Sequence, residues 1–429
     1  MKNKKIEYLI IGAGVTGLTF ANYCNDDYLI VEKENEVGGY CRTIYSKDYV
    51  WDFAGHFFHF KTDEFKQLFL NNISKKDLIS NEKCTKILYK NKLIDYPFQT
   101  NIHQLDKDEF IDCLYDLFNK NEKLEYDNFL DMLYGKFGKS ITEKFLKPYN
   151  EKLYAIDLKK LDKDAMGRFF PYADKEQIIK NMKKHNSNSY NDHFMYLKNG
   201  AGSFMNILYK KLDTKKILLN SNIIFIDINN KYVELSDGQK IYYNYLINTS
   251  PFNKFLKLFM NDEYYSLCNK LSYNKVLVFN LGFSRKSKLI NEHWIYIPSK
   301  ERNYYRIGFY DNILKTKKLS MYVEIGYNKD YLIDEKEIQK QLKLTINNLN
   351  EDGIIDSSMI LEDYVSIIMD PAYVHINNDV NKLIGEEMKE LNSKNIFSIG
   401  RYGSWTYCSI EDCMIEAKKL AEYLKGENK

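Results

Sequence analysis

Glu7-Tyr8-Leu9-Ile10-Ile11-Gly12-Ala13-Gly14-Val15-Thr16-Gly17 is the stretch on which the fold turns. Glu7 to Ile11 reads as a short buried strand, Leu18 to Cys24 as a helix, and Tyr28 to Val31 as a second strand ending in Glu32, 20 residues past Gly12. Strand, glycine turn, helix and strand with a terminal acid make a dinucleotide-binding unit. Gly12 permits the tight turn, Gly14 lets backbone approach a pyrophosphate, and Gly17 lets helix and strand pack closely. The phosphates would lie on the helix N-terminus beside Thr16. Glu32 would accept the ribose hydroxyls, and no arginine follows it to favour a 2′-phosphate.

With 429 residues, 44% of them hydrophobic, the chain is neither a disordered segment nor a staple-dependent miniprotein. Its length suggests two or three domains. A net charge of +3 provides no field that argues for nucleic acid or an anionic membrane surface, and no run of about 20 apolar residues is present to span a bilayer. Seven cysteines without a Cys-x-x-Cys pair fit a reducing compartment, read here as cytoplasmic, better than a disulfide framework or a metal site. Only six of the 62 basic residues are arginines, at positions 42, 168, 285, 302, 306 and 401. Where lysine serves as the ordinary charge, an arginine hints that a planar bidentate donor is wanted.

Working outward, residues 63–184 carry apolar residues at three- and four-residue spacing, as in Glu109 to Phe118 and Phe129 to Phe145. Strand-like pieces return at Ile223 to Asp227, Tyr232 to Leu235 and Tyr245 to Asn248. Others follow at Lys275 to Phe283, Trp294 to Pro298, Tyr305 to Tyr310 and Ser320 to Tyr327, alternating as an antiparallel sheet does. Ile396 to Ile399, a Gly400-Arg401 turn and a helix over Ser409 to Lys425 end the chain, with Ser409 and Asp412 spaced as a capping box. The expected architecture is α/β. A discontinuous Rossmann-like domain takes residues 1–70, 195–252 and 390–429, a helical insertion takes 71–190, and an antiparallel sheet domain with helices takes 255–389.

Gly38-Gly39-Tyr40-Cys41-Arg42-Thr43 adds a second close-approach loop with two donors soon after Glu32. Together with the first motif it resembles the FAD-binding signature of the flavoprotein group that includes amine oxidases, phytoene desaturases and UDP-galactopyranose mutases. Further segments are similar to the mutases, in particular their eukaryote-like branch. Asp52-Phe53-Ala54-Gly55-His56 resembles the loop that sets a histidine against the flavin, with Ala54 where that family has a glycine. Tyr96-Pro97-Phe98-Gln99-Thr100-Asn101 and Lys147 to Tyr154 resemble its nucleotide-binding segments, which implies Tyr96, Phe98, Gln99, Asn150 and Tyr154 around the uridine; Tyr154 stands where a tryptophan is usual. Arg168 and Arg306 are similar to the pair that clamps the diphosphate, and Tyr296, Tyr373 and Tyr407 to the tyrosines around sugar and phosphates. Gly400-Arg401 to Tyr407, with Glu411 and Asp412, resembles the last flavin-binding segment.

The resemblance implies a flavin-dependent mutase interconverting UDP-galactopyranose and UDP-galactofuranose, or a close sugar nucleotide. Reduced flavin N5 would attack the anomeric carbon, and NADPH or NADH would serve only to reduce the FAD. A UDP-sugar is the implied partner, and a homo-oligomer is admitted. The alternative is an oxidoreductase of the amine oxidase or desaturase kind, which shares Gly12 to Gly17, Glu32 and Gly38-Gly39 but would need an apolar or amine-binding cavity. A noncatalytic flavin-binding scaffold would leave the substrate-side motifs without a purpose. His56 and His59 lack a third ligand for a metal, and Cys408 and Cys413 are read as structural thiols.

Overall fold

The computed structural model describes residues 5–24, 27–183 and 193–427. The first strand, Lys5–Ile11, lies at the heart of a seven-stranded sheet, parallel to Tyr28–Val31 on one side and Lys240–Asn248 on the other. The late strand Ile396–Ser398 also pairs in parallel with Lys240–Asn248, so the end of the chain rejoins its beginning. Tyr8, Leu9 and Ile10 are all fully buried. Tyr8 and Ile10 face the helices Val15–Tyr23 and Ile410–Glu427, whereas Leu9 and Ile11 face Phe252–Lys257 and Asn378–Ser393. A strand covered on both faces must read as an unbroken apolar run, and this one does.

The second seven-stranded sheet is built on Asn274–Phe283, which is antiparallel to Ser320–Asn328 and to Leu361–Met369. Leu277, Phe279 and Leu281 pack against the helix Glu335–Glu351, and Val276 and Val278 point the other way, into the core of the helical region. That region is not helical throughout. Within residues 71–190, Leu78–Glu82 is a strand and the hairpin Thr85–Tyr89 and Lys92–Asp95 extends the second sheet, docking in parallel on Trp294–Tyr296. The helices Lys107–Phe118, Phe129–Ile141 and Lys147–Tyr154 follow. The Gly400-Arg401 turn proves to be a short helix, Gly400–Gly403.

Asp52 joins the two halves. Its buried carboxylate accepts from the Thr43 hydroxyl at 2.5 Å, the Tyr196 hydroxyl at 2.6 Å and the Ala201 N–H at 3.0 Å, and its carbonyl accepts from Asn280 Nδ2 at 2.9 Å. Burial pushes the Asp52 carboxyl up to about 7, against the pull of those three donors. Between about pH 4 and 7 the folded protein therefore holds a proton that the unfolded chain releases, so this group's contribution to stability is lost as pH rises through that window. Asp52→Asn is expected to remove the loss. Its stability relative to the parent, from urea denaturation, should rise by more than about 1 kcal/mol between pH 4 and 7 and level off above; a pH-independent difference would refute the assignment. Among the described residues no helix is long and apolar enough to cross a membrane.

Candidate active site

The glycine turn forms a cradle at the carboxyl end of the first strand. Gly12 adopts φ +96°, and its N–H donates to Val31 O at 2.9 Å. A Cβ on Gly17 would lie 2.0 Å from Gly12 O, whereas one on Gly14 would meet nothing within 4 Å. The helix Val15–Tyr23 begins there without a side-chain cap, so its first N–H groups face the open side of Gly14. Glu32 is buried at the end of the second strand, accepting from Ala13 N–H at 2.7 Å and Glu34 N–H at 3.0 Å. A carboxylate has about four acceptor sites, so capacity remains for ribose hydroxyls. The left-handed Gly38 and Gly39 close the cradle, with Gly38 N–H donating to Ala13 O at 2.8 Å. Open backbone, an uncapped helix start and a buried acid fit the diphosphate and ribose of a dinucleotide such as FAD.

Several residues assigned to the cofactor also brace the cradle and its surroundings. The Thr43 hydroxyl donates to Asp52 and accepts from Gly202 N–H, so it is not available to a pyrophosphate. Arg42 donates from Nε to Gly39 O and lies over the Phe53 ring at 4.5 Å, bracing the diglycine loop. Thr16 is buried against Gly400, where an added Cβ would come within 2.4 Å of its hydroxyl. Glu411 turns away from the cradle. Its carboxylate accepts from Lys61 N–H, Thr62 N–H and the Thr62 hydroxyl at 2.7–2.8 Å, fixing the loop that follows His56. Asp412 accepts from Ser409 N–H and hydroxyl, which is the capping box, and pairs with Arg168.

Beyond the cradle lies a basin of phenols and guanidinium groups. Arg306 and Glu324 face each other across adjacent strands, and the guanidinium grips the carboxylate with Nε at 2.9 Å and Nη2 at 2.6 Å. The sequence reading missed Glu324, although a single acid within Ser320-Met321-Tyr322-Val323-Glu324-Ile325 was a signal that a cation stood opposite. Arg401 is more central than its assignment suggested. Its guanidinium lies 4.5 Å from the Tyr407 ring, 5.6 Å from Tyr373 and 5.8 Å from Tyr402, and Nη1 donates to Cys408 O. Tyr373 is within electrostatic range of both Arg306 and Arg401. Tyr296 packs against Tyr96 at 4.9 Å and Tyr149 at 5.1 Å, completing the wall.

His56 faces the same two arginines. Its Nδ1 lies 3.1 Å from Ala54 O, and burial, reinforced by the charge of Arg401, lowers its imidazole to about 4. It is therefore neutral at physiological pH. With the Nδ1 proton on Ala54 O, Nε2 carries the lone pair. Gly55 is needed because the Tyr322 hydroxyl would lie 2.5 Å from an added Cβ. His59 turns to a different carbonyl, that of His193.

The segments 96–101 and 147–154 meet through a ring column, Phe98 on Phe145 at 5.1 Å and Phe145 on Tyr149 at 5.3 Å. Phe98 is fully buried and offers no face to a base, so it supports the wall rather than lining it. Gln99 donates to Pro171 O and Asn150 to Leu146 O, but the Gln99 Oε1 and Asn150 Oδ1 acceptors are buried with no partner. Two orphaned amide oxygens are what a ligand with N–H groups would satisfy. Tyr154 is buried between Phe129 and Tyr373. Arg168 departs from the expected clamp: its side chain is 42% exposed, at the outer lip, where it pairs with Asp412.

Residues 10–70 match the family described as NAD(P)-binding Rossmann-like domain. The structure superimposes on the crystal structure of reduced UDP-galactopyranose mutase with a TM-score of 0.92 at 22% identity, over 99% of this chain and 94% of that one. The fold is that of these flavoproteins. It is shared more distantly with cyclohexylamine oxidase from Brevibacterium oxydans IH-35A, at TM-score 0.68 and 11% identity over 98% of this chain and 100% of that one. A fatty acid isomerase from P. acnes matches at TM-score 0.64 and 14% identity, over 97% and 98%. One scaffold thus carries several chemistries, and the basin rather than the fold bears on which applies here.

Proposed function

We propose that the chain is a flavin-dependent sugar-nucleotide mutase acting on UDP-galactopyranose and UDP-galactofuranose or a close relative. The observation that carries this reading is the wall beside the cradle, where Arg306, Arg401 and several phenol hydroxyls converge. An amine or hydrocarbon substrate has no use for such a surface. A diphosphate, a hexose and a uracil do.

FAD would be held by the backbone from Gly12 to Gly17, by Glu32 and by Gly38-Gly39, and when reduced would supply an electron-rich ring able to exchange with a diphosphate at an anomeric carbon without net oxidation. The residues of the chain orient and stabilise. Pairing with Glu324 uses Nε and one proton of Nη2 on Arg306, so Nη1 remains to meet phosphate oxygen while the fork stays fixed. Arg401 places full charge beside Tyr373 and Tyr407, and neutral His56 can accept a hydrogen bond at Nε2 without adding charge. Gln99 and Asn150 would accept from the base.

The test is anaerobic incubation of dithionite-reduced protein with UDP-galactopyranose and with UDP-galactofuranose, followed by product chromatography. Interconversion by the reduced protein alone is expected. Absence of interconversion, with consumption of dioxygen on an amine or a polyene, would transfer the reading to the oxidases.

A further inference from the structure

Cys408 and Cys413 stand five residues apart, a spacing that from sequence reads as structural. The fold brings their sulfurs to 3.5 Å at the start of the last helix. Cys413 is 3% exposed, whereas Cys408 lines a cavity of about 500 Å³ bounded by Arg168, Phe169, Trp405, Asp412 and the helix Asn378–Ser393. We propose that Cys408 and Cys413 are a modification site, closing to a reversible disulfide when hydrogen peroxide enters this cavity. A buried thiol in contact with a partly exposed one at a cavity wall is the arrangement of a resolving and an attacking cysteine.

The Cys408 sulfur attacks one peroxide oxygen, the O–O bond breaks, and water departs to leave a sulfenic acid. The Cys413 sulfur then attacks the sulfenic sulfur, the S–O bond breaks, and a second water departs. Two thiols are oxidised by two electrons, one peroxide is reduced, and both thiol protons end in water. Their sulfur–sulfur hydrogen bond raises the Cys408 thiol and, with the charge of Arg401, holds the Cys413 thiol below its ordinary value against burial, so Cys413 takes up the proton as Cys408 attacks the peroxide. Closing the sulfurs from 3.5 Å to about 2.05 Å draws Cys408 toward the helix. Cys408 O accepts from Arg401 at 2.9 Å, and the preceding Tyr407 packs on Arg401 and on Phe169 at 4.9 Å. The bond therefore pulls on the arginine and tyrosine of the basin.

The full chain, reduced and desalted, is titrated with hydrogen peroxide, alkylated and mapped by mass. The tryptic peptide Tyr402–Lys418 is expected to lose two hydrogens and resist alkylation at both cysteines, with recovery in dithiothreitol; two of the seven thiols should disappear. In Cys413→Ser the bridge is lost and dimedone traps a sulfenic acid on Cys408. A change in tryptophan emission, from Trp405 on the same cavity as Cys408, is expected on oxidation of the parent and not in Cys413→Ser or Cys408→Ser. Retention of all seven thiols, or oxidation that reaches the partly exposed Cys84 at the same rate without a bridge between 408 and 413, overturns the proposal. None of these readouts depends on turnover of a sugar nucleotide.

Discussion

Arg306→Ala is expected to lower UDP-sugar turnover by on the order of 10²-fold or more, the effect typical of deleting one donor to developing negative charge. It should also destabilise the fold by about 3–5 kcal/mol, because Glu324 is 1% exposed and would be left as an unpaired buried carboxylate. The two losses can be separated. Arg306→Ala combined with Glu324→Ala removes the stranded charge, so thermal stability should largely return while turnover does not. Normal turnover in the single variant would remove Arg306 from the diphosphate site. Recovery of turnover in the double variant would show that Arg306 serves only Glu324. Arg168→Ala should cost less than Arg306→Ala, since an ion pair at a 42% exposed side chain is worth little.

Gly17→Ala and Gly14→Ala are expected to part company, although the sequence motif treats them alike. At Gly17 the new Cβ would stand 2.0 Å from the Gly12 carbonyl oxygen, a backbone atom that cannot swing aside, so the helix must move off the first strand. Both stability and bound flavin should fall. At Gly14 the backbone is extended, φ −75° and ψ −177°, and the Cβ meets nothing within 4 Å, so the apoprotein should be as stable as its parent. Its methyl would occupy the space through which a pyrophosphate approaches, and FAD content after reconstitution should drop severely. The measurements are apoprotein melting temperature and flavin-to-protein ratio. Full flavin occupancy in Gly14→Ala would place the diphosphate elsewhere.

Much of the fold was legible because the physics that sets it is local. A strand covered on both faces has to be a continuous apolar run, and Tyr8 to Ile11 is one. A capping box lies within one turn, and Ser409 with Asp412 forms as read. Tyr28 to Val31, Ile223 to Asp227 and Tyr232 to Leu235 begin and end where the pattern placed them. The strand Leu361–Met369 escaped notice because most of it is only partly buried, which leaves acids among its apolar residues and no clean alternation. The hairpin within residues 85–95 was absorbed into a helical region because its partner strand, Trp294–Tyr296, lies some two hundred residues away in the chain.

The sequence alone determined which residue types could reach a dinucleotide and which scarce arginines were candidates for an anion, since glycine spacing and arginine usage are properties of the chain itself. The tertiary structure alone decided how each candidate is employed. It bound Arg306 to Glu324, set Arg401 among three tyrosine rings, moved Arg168 to the lip, and turned Thr43 and Glu411 into braces. Motif position names a donor or an acceptor, but its partner is set by what packs beside it, and those neighbours come from distant strands.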